Sequence, residues 1–231
     1  MLYVNNISVT LKNTNIIKNL SLGINSGEIV GLVAPNGYGK TTLLKSIMKL
    51  NQIESGDISI EGTSNKNKDY HKALFFFQNA DSLYPNLNAL DHLNFVKNAW
   101  KSKVEVNEVI TDLKMSAYKN KKIRQLSLGM KQHVLLAMAI VSDAKLILMD
   151  EPFNGLDPSS VKTVSLLIKN MQAEGTSFLF SSHILNHIDQ LCSKVFFLKE
   201  KKIILISDLT SNNFISTENN YNLLFEGDGN L

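Results

Sequence analysis

Short apolar runs and amphipathic stretches alternate along the chain, and each kind predicts an element. Residues 2–33 read as strands and turns: LYVNNISVTL alternates loosely between apolar and polar positions, and GEIVGLV is a short apolar run behind a glycine. In TTLLKSIMKL the apolar residues Leu43, Leu44, Ile47 and Met48 share one face of a helix. SGDISIEG (55–62) is a short strand between turn residues, and ALFFFQ (73–78) is an apolar strand ending on a polar residue. The pattern then changes. Residues 79–125 contain LNALDHLNFVKNAW and VNEVITDLKM, both with helical spacing, and few strand signals, so a mostly helical insertion is expected there. LSLGMKQHVLLAMAIV (126–141) reads as one long helix entered through a polar residue. KLILMDEP, a helix at 159–173, SFLFSSH, a helix at 184–192 and KVFFLK complete the series.

Strands alternating with helices imply an α/β fold whose sheet is mostly parallel and covered on both faces. The final STENNYNLLFEGDGNL is polar and rich in asparagine, and is expected to be a loosely held tail. No internal repeat is visible.

Composition narrows the classes. A chain of 231 residues with 44% hydrophobic content can build a sizeable core as one large domain or two small lobes. A net charge of +3 is too small to argue for nucleic acid as the main partner. Cys192 is the single cysteine, so no internal disulfide forms, and a buried, apolar thiol in a reducing cytosol is expected. The longest apolar run, VLLAMAIV (134–141), falls far short of the roughly 18 residues of a spanning helix. MLYVNNISV lacks the basic head and apolar core of a signal peptide. If the protein works at a membrane, something else must hold it there.

APNGYGKTT (34–42) carries the first candidate chemistry. It follows a strand, opens a helix and nearly matches G-x-x-x-x-G-K-[ST], with Ala34 at the first glycine position. Gly37 and Gly39 can take positive φ, which lets successive backbone N–H groups turn inward on phosphate oxygens. The helix beginning near Lys40 adds its N-terminal dipole. Lys40 supplies a point charge for the outer phosphates and Thr41 a hydroxyl for Mg²⁺. Ala34 precedes Pro35, and a residue before proline is extended, so glycine is not required there. Taken alone, the stretch reads equally as a turn with an incidental lysine.

Other stretches weigh against the incidental reading. Asp150 and Glu151 close the apolar strand of KLILMDEP, at the carboxyl end where open α/β sheets bind ligands. Asp150 there can hold Mg²⁺, and Glu151 can orient and activate water. Gln78 ends another strand, where an amide can contact metal and water, although a lone Gln is more often surface. His183 ends SFLFSSH and can reach a γ-phosphate. His187 follows at helical zinc spacing, but the neighbouring glutamate and a third ligand are missing, which leaves it a surface role. In LSLGMKQ (126–132), Ser127 can cap the next helix and Gly129 lets a ligand approach the backbone, giving a second helix end suited to phosphate. An ordinary helix cap would read the same way.

Together APNGYGKTT, FFFQ, LSLGMKQ, LILMDEP, NGLD and SSH follow the order and spacing of ABC-transporter ATPase domains, and residues 1 to about 205 resemble that family. LSLGMKQ is similar to the signature of bacterial drug, bacteriocin and lantibiotic self-protection exporters. The resemblance implies a P-loop NTPase domain with a mostly parallel sheet, antiparallel N-terminal strands and a helical subdomain. It divides the chain into a core of about 1–78 and 137–210, a helical subdomain of about 79–136 and a polar tail of about 211–231. It implies ATP with Mg²⁺, and two ATPase domains paired head to tail as a homodimer or heterodimer. Each ATP then lies between the phosphate loop of one domain and the signature of the other.

By the same resemblance Asn36, Gly37, Tyr38, Gly39, Lys40, Thr41 and Thr42 bind phosphate. Gln78 is the Q-loop residue beside the membrane subunit, and with Thr41 and Asp150 it serves the metal. Ser127 and Gly129 reach the opposite ATP, Asp157 is the D-loop residue, and Glu151 and His183 are the catalytic carboxylate and switch histidine. Met130 stands where the signature usually has glutamine, and His133 where arginine is common. The place of the aromatic residue that usually stacks on adenine falls near Leu11, which offers an aliphatic face to the base, with Tyr3 as the alternative contact. The implied protein is a cytosolic ATPase docked on separate membrane-spanning subunits at the inner face of the cell membrane. One rival is a soluble ABC ATPase acting on nucleic acid or ribosomes, but such proteins usually carry two ATPase halves or long coiled-coil insertions. The other is a non-hydrolysing binding module, against which Lys40, Asp150, Glu151 and His183 argue.

Overall fold

The computed structural model describes residues 1–211 and 214–227. Among the described residues, ten strands form two sheets. The first is antiparallel: β1 (Leu2–Leu11) pairs with β2 (Thr14–Ile24) and with β4 (Ser55–Ile60), and β5 (Thr63–Ser64) adds to β4. The second has six strands in the order β10-β9-β3-β8-β7-β6. In it β3 (Ile29–Val33), β6 (Leu74–Phe77), β7 (Leu146–Asp150), β8 (Ser177–Ser181) and β9 (Lys194–Lys199) are mutually parallel, and β10 (Lys202–Asp208) is antiparallel to β9.

The parallel strands are unbroken apolar runs because both faces are buried. Successive side chains point to opposite faces, so each strand feeds two cores. Val30, Leu32, Leu146, Leu148, Leu179 and Phe196 pack toward the antiparallel sheet and α1 (Lys40–Ile47). Ile29, Ile147, Met149, Phe178, Phe180 and Phe197 pack toward the helices of the other face. Those are α4 (Leu128–Ser142), α5 (Pro158–Ala173), α6 (Leu185–Leu191) and the two helices of the 79–125 region, α2 (Ala89–Trp100) and α3 (Val106–Asp112). Asn88 caps α2 through a reciprocal pair with Asp91, and Trp100 Nε1 ties the end of α2 to Leu74 O at 3.1 Å. Cys192 is buried, which pushes its thiol pKa well up, as expected of an inert thiol.

Two expectations change. β10 is a further strand beyond KVFFLK, paired along its length with β9. The segment read as a loose tail is helical over α7 (Thr217–Tyr221) and continues as a π-helical turn over Asn222–Glu226. Ser216 caps α7, accepting from Asn219 N, and Thr217 is fully buried. Polar composition hid this because the anchoring is itself polar: the backbone N–H and hydroxyl of Thr217 both donate to Asp189 on α6.

Candidate active site

The loop between β3 and α1 has the geometry its sequence predicts. Gly37 (φ 84°) and Gly39 (φ 105°) both sit in the region that glycine tolerates best. Ala34 is buried and does not disturb the turn. Ile16, Asn36, Gly37, Gly39, Lys40, Thr41, Thr42, Asp150 and Glu151 line a cavity of about 270 Å³. Lys40 is only 7% exposed, and its ammonium donates to Ala34 O at 2.6 Å and Pro35 O at 3.3 Å. Burial lowers its pKa from the usual lysine value, while the charges of Glu151 and Asp150 oppose that shift.

The two carboxylates are fixed by groups from three elements. Thr41 Oγ1 donates to Asp150 Oδ2 at 2.8 Å, and Ser181 Oγ donates to Asp150 Oδ1 at 2.7 Å. Ser181 Oγ also accepts from Glu151 N at 3.0 Å. Glu151 has φ 52°, a conformation uncommon outside glycine, asparagine and aspartate. His183 turns its Nδ1 to Glu151 Oε2 at 2.7 Å, and its backbone N–H donates to the same oxygen at 3.2 Å. The imidazole thus orients the carboxylate here. Thr41 and Asp150 are hard oxygen donors already within hydrogen-bond distance of one another. No group of three or more His, Cys, Asp or Glu side chains suited to a metal occurs among the described residues. The Thr41 hydroxyl and the Asp150 carboxylate fit Mg²⁺, which takes one or two protein ligands and completes its shell with phosphates and water.

A second cavity, of about 610 Å³, gathers the other half of the predicted residues. Ser127, Gly129, Met130, His133, Asp157 and Ser160 are among its lining. Ser127 caps α4 by accepting from Met130 N at 3.2 Å, as its sequence position predicts. Asp157 caps α5, accepting from the backbone and hydroxyls of Ser159 and Ser160, which holds its carboxyl well below the usual range. His133 Nδ1 lies 3.3 Å from Tyr118 OH. Burial depresses its pKa, with the Asp157 charge acting the other way. The two helix N-termini suited to phosphate thus open into separate cavities with no lining residue in common.

Three predicted residues lie elsewhere. Gln78 is half-buried just past β6, one step beyond the Phe77–Met149 pair and so level with Asp150. Leu11 is at the hairpin tip, paired with Thr14 and 37% exposed; the hairpin residue lining the phosphate cavity is Ile16. Tyr38 is not part of that lining, and its ring turns instead to Phe225. His187 is not a surface residue: it is half-buried edge-on against Phe153, with centroids 5.3 Å apart. Two residues escaped the sequence reading. Ser181 sits inside SFLFSSH, where the eye stops at the histidine. Gln132, one turn into α4 and 5% exposed, lines a third cavity together with Asn79, Asp150 and Glu151, and its buried Oε1 has no partner among the described residues. Only the long apolar face around Gln132 could have marked it.

The ABC transporter family model matches residues 17–154. The lantibiotic transport ATP-binding protein SrtF of Streptococcus pyogenes is 30% identical over 98% of this chain and 99% of its own. The SkfA peptide export ATP-binding protein SkfE of Bacillus subtilis is 32% identical over 88% of this chain and 87% of its own. Among solved structures, an ATP-binding subunit of an ABC transporter superposes with a TM-score of 0.85 at 26% identity, covering 90% of each chain. A dimeric bacterial ABC transporter cassette gives 0.81 at 25% identity, covering 91% of this chain and all of that one. With the phosphate loop, the two carboxylates and the capped signature helix in place, the chain belongs to the ABC transporter family, as an ATP-binding and ATP-hydrolysing subunit.

Proposed function

We propose that this chain hydrolyses ATP to drive export of a peptide, such as a lantibiotic-like bacteriocin, through separate membrane-spanning subunits. The observation that carries the ATPase half of this reading is the Thr41–Asp150–Ser181–Glu151–His183 hydrogen-bond chain at the mouth of the phosphate loop. The cargo half rests on the streptococcal and Bacillus relatives, which are named for lantibiotic transport and peptide export. Those names also favour a transporter over an ATPase acting on nucleic acid.

Backbone N–H groups of residues 36–42 and the Lys40 ammonium hold the β- and γ-phosphates. Lys40 must leave its two carbonyl partners to do so, and the charges of Glu151 and Asp150 favour its cationic form against the desolvation that lowers its pKa. Thr41 and Asp150 would hold Mg²⁺, with Gln78 at the same sheet edge, and the ion would supply neutralising charge at the phosphate oxygens. Glu151 orients the attacking water and takes its proton, in the position fixed by Ser181 and His183. Ser127, Gly129 and Asp157 act on the ATP of a second ATPase domain, identical or related. Two separate phosphate-binding ends on one chain support that head-to-tail pairing. No helix among the described residues is long and apolar enough to cross a membrane. The chain works from the cytoplasmic side, held at the membrane by its partner subunits.

The test replaces Glu151 with Gln. Hydrolysis should be nearly abolished while ATP binding persists, trapping a dimer visible by gel filtration. Turnover near wild type refutes the assignment. Pull-down of the membrane subunits, with peptide export measured in vesicles, tests the cargo.

A further inference from the structure

Phe225, in the C-terminal segment, reaches the phosphate loop. The ring of Phe225 meets the ring of Tyr38 edge-on, with centroids 5.7 Å apart and planes at 89°. Tyr38 lies between the two positive-φ glycines, Gly37 and Gly39. A Cβ added at Gly37 would meet nothing within 4 Å, so little packs against that side of the loop. Phe225 is itself held by two neighbours. Tyr221 packs on it at 4.9 Å, and the Lys199 ammonium stands 5.8 Å over its ring. The same ammonium donates to the carbonyl of Leu224 at 2.6 Å, next to Phe225 in the chain. Farther back, Thr217 fastens the segment to Asp189 on α6, the helix that begins just after His183.

We propose that Phe225 is a positioning residue for nucleotide binding: through Tyr38 it holds the phosphate loop near its binding conformation. A loop with two freely rotating glycines loses backbone entropy when it closes on phosphate. An aromatic tether at the residue between them restricts the empty loop beforehand, so less is lost on binding. Tyr38 offers its ring to this contact rather than to the phosphate cavity, and its backbone N–H donates to Pro35 O at 3.4 Å within the loop. Phe225 touches no substrate in this arrangement; it acts through Tyr38. The inference rests on the nucleotide site described above and adds a C-terminal element to it.

The test is calorimetric titration of the full chain with Mg·ADP and Mg·GDP, alongside steady-state ATP hydrolysis. An edge-to-face pair is worth about a two- to tenfold change in affinity. Phe225→Ala is therefore expected to weaken ADP and GDP by the same two- to tenfold factor, and to raise KM for ATP while kcat at saturation changes much less. Phe225→Leu keeps apolar bulk without the ring and is expected to show the same loss, while Phe225→Tyr restores affinity to within about twofold of wild type. Tyr38→Ala combined with Phe225→Ala should bind no more weakly than Tyr38→Ala alone, because the two act as a pair. Unchanged ADP affinity in both Phe225→Ala and Phe225→Leu, or additive losses in the double variant, overturns the proposal. If Phe225→Ala does not fold, Phe225→Leu carries the same comparison. A wild-type protein that binds no ADP would instead overturn the nucleotide site itself, which separates the two failures.

Discussion

Removing one buried hydroxyl should uncouple nucleotide binding from hydrolysis. Ser181 is fully buried at the end of β8, and its Oγ holds the Asp150 carboxylate and the Glu151 backbone. It donates to Asp150 Oδ1 at 2.7 Å and accepts the Glu151 N–H at 3.0 Å. A hydrogen bond to a charged group is worth about 1.5–3 kcal/mol net, and one between neutral groups about 0.5–1.5 kcal/mol. Ser181→Ala removes one of each. Asp150 keeps its bond from Thr41 at 2.8 Å, and the cavity admits water to the rest, so the loss in stability should lie near the low end, about 2 kcal/mol. The kinetic effect should be larger. Glu151 is held at φ 52°, and residues in such sparsely populated regions cost about 1–3 kcal/mol each unless their surroundings enforce them. Ser181 is one of those surroundings. Once it is gone, Glu151 can relax and carry its carboxylate off line, and a misplacement of about 1 Å can cost about a hundredfold in rate.

Ser181→Ala is therefore expected to lower kcat by about ten- to a hundredfold. Its affinity for ADP should stay within about threefold, because the phosphate loop is untouched. Phosphate release at saturating ATP, ADP calorimetry and urea unfolding measure the three quantities. Ser181→Cys keeps the side-chain volume but offers only a weak donor, and should behave like the alanine variant. Turnover within about twofold of wild type in Ser181→Ala would refute the reasoning, and so would near-normal turnover in Ser181→Cys beside a defective Ser181→Ala.

Mixing Ser127→Arg protein with Lys40→Ala protein should restore some hydrolysis, since one site of each mixed pair is then intact; no recovery in mixtures with demonstrated heterodimers refutes the shared site. His133 gives a pH dependence. Burial puts its folded pKa below the unfolded value of about 6.5, so the unfolded chain binds more protons as pH falls. Its contribution is fully present above about pH 6.5 and is lost below that, down to the folded pKa. His133→Gln should flatten the stability profile between pH 7.5 and 5.5, as read by urea midpoints, and parallel profiles would contradict this. Leu11→Tyr should tighten ATP binding several-fold if the hairpin tip reaches the base, and Ile16→Ala should weaken ATP and GTP equally because Ile16 lines the phosphate end of the cavity; an unchanged affinity in either variant argues against the contact tested.

The sequence makes the central sheet legible because each parallel strand is an apolar run closed by a polar or turn residue. LILMD and SFLFS appear as strands β7 and β8 with boundaries close to those expected. The phosphate loop, the α4 cap at Ser127 and the two carboxylates are legible for a similar reason: each depends on backbone geometry and residue type within a few neighbouring positions. What escapes depends on contacts distant in sequence. Ser181 matters through Asp150 and Glu151, which lie 31 and 30 positions away. Thr217 is buried only because Asp189 awaits it 28 positions earlier. Phe225 reads as one apolar residue in a polar tail until it is seen against Tyr38. His187 carries no sequence mark that distinguishes a packed imidazole from a solvated one.

The turn after β7 joins the two cavities. Asp150 and Glu151 line the phosphate-loop cavity, and Asp157, a few residues later, lines the cavity of Ser127. The connection is short and stiff. Asn154 N donates to Glu151 O at 3.1 Å, and Leu156 N to Phe153 O at 3.3 Å. Phe153 is buried edge-on against Phe180 of β8, with centroids 5.8 Å apart. Gly155, at φ 73°, lies under the side chain of Leu128 from the first turn of α4. A shift of α4 or of Asp157, on the side we propose meets a second ATPase domain, is therefore expected to press on the turn that also carries Glu151. Packed elements of this kind move between discrete arrangements rather than yielding gradually. Glu151, the carboxylate we propose to activate water, and Asp157, beside Ser127, are thus two ends of one turn. That arrangement suits an ATPase whose hydrolysis waits for its partner.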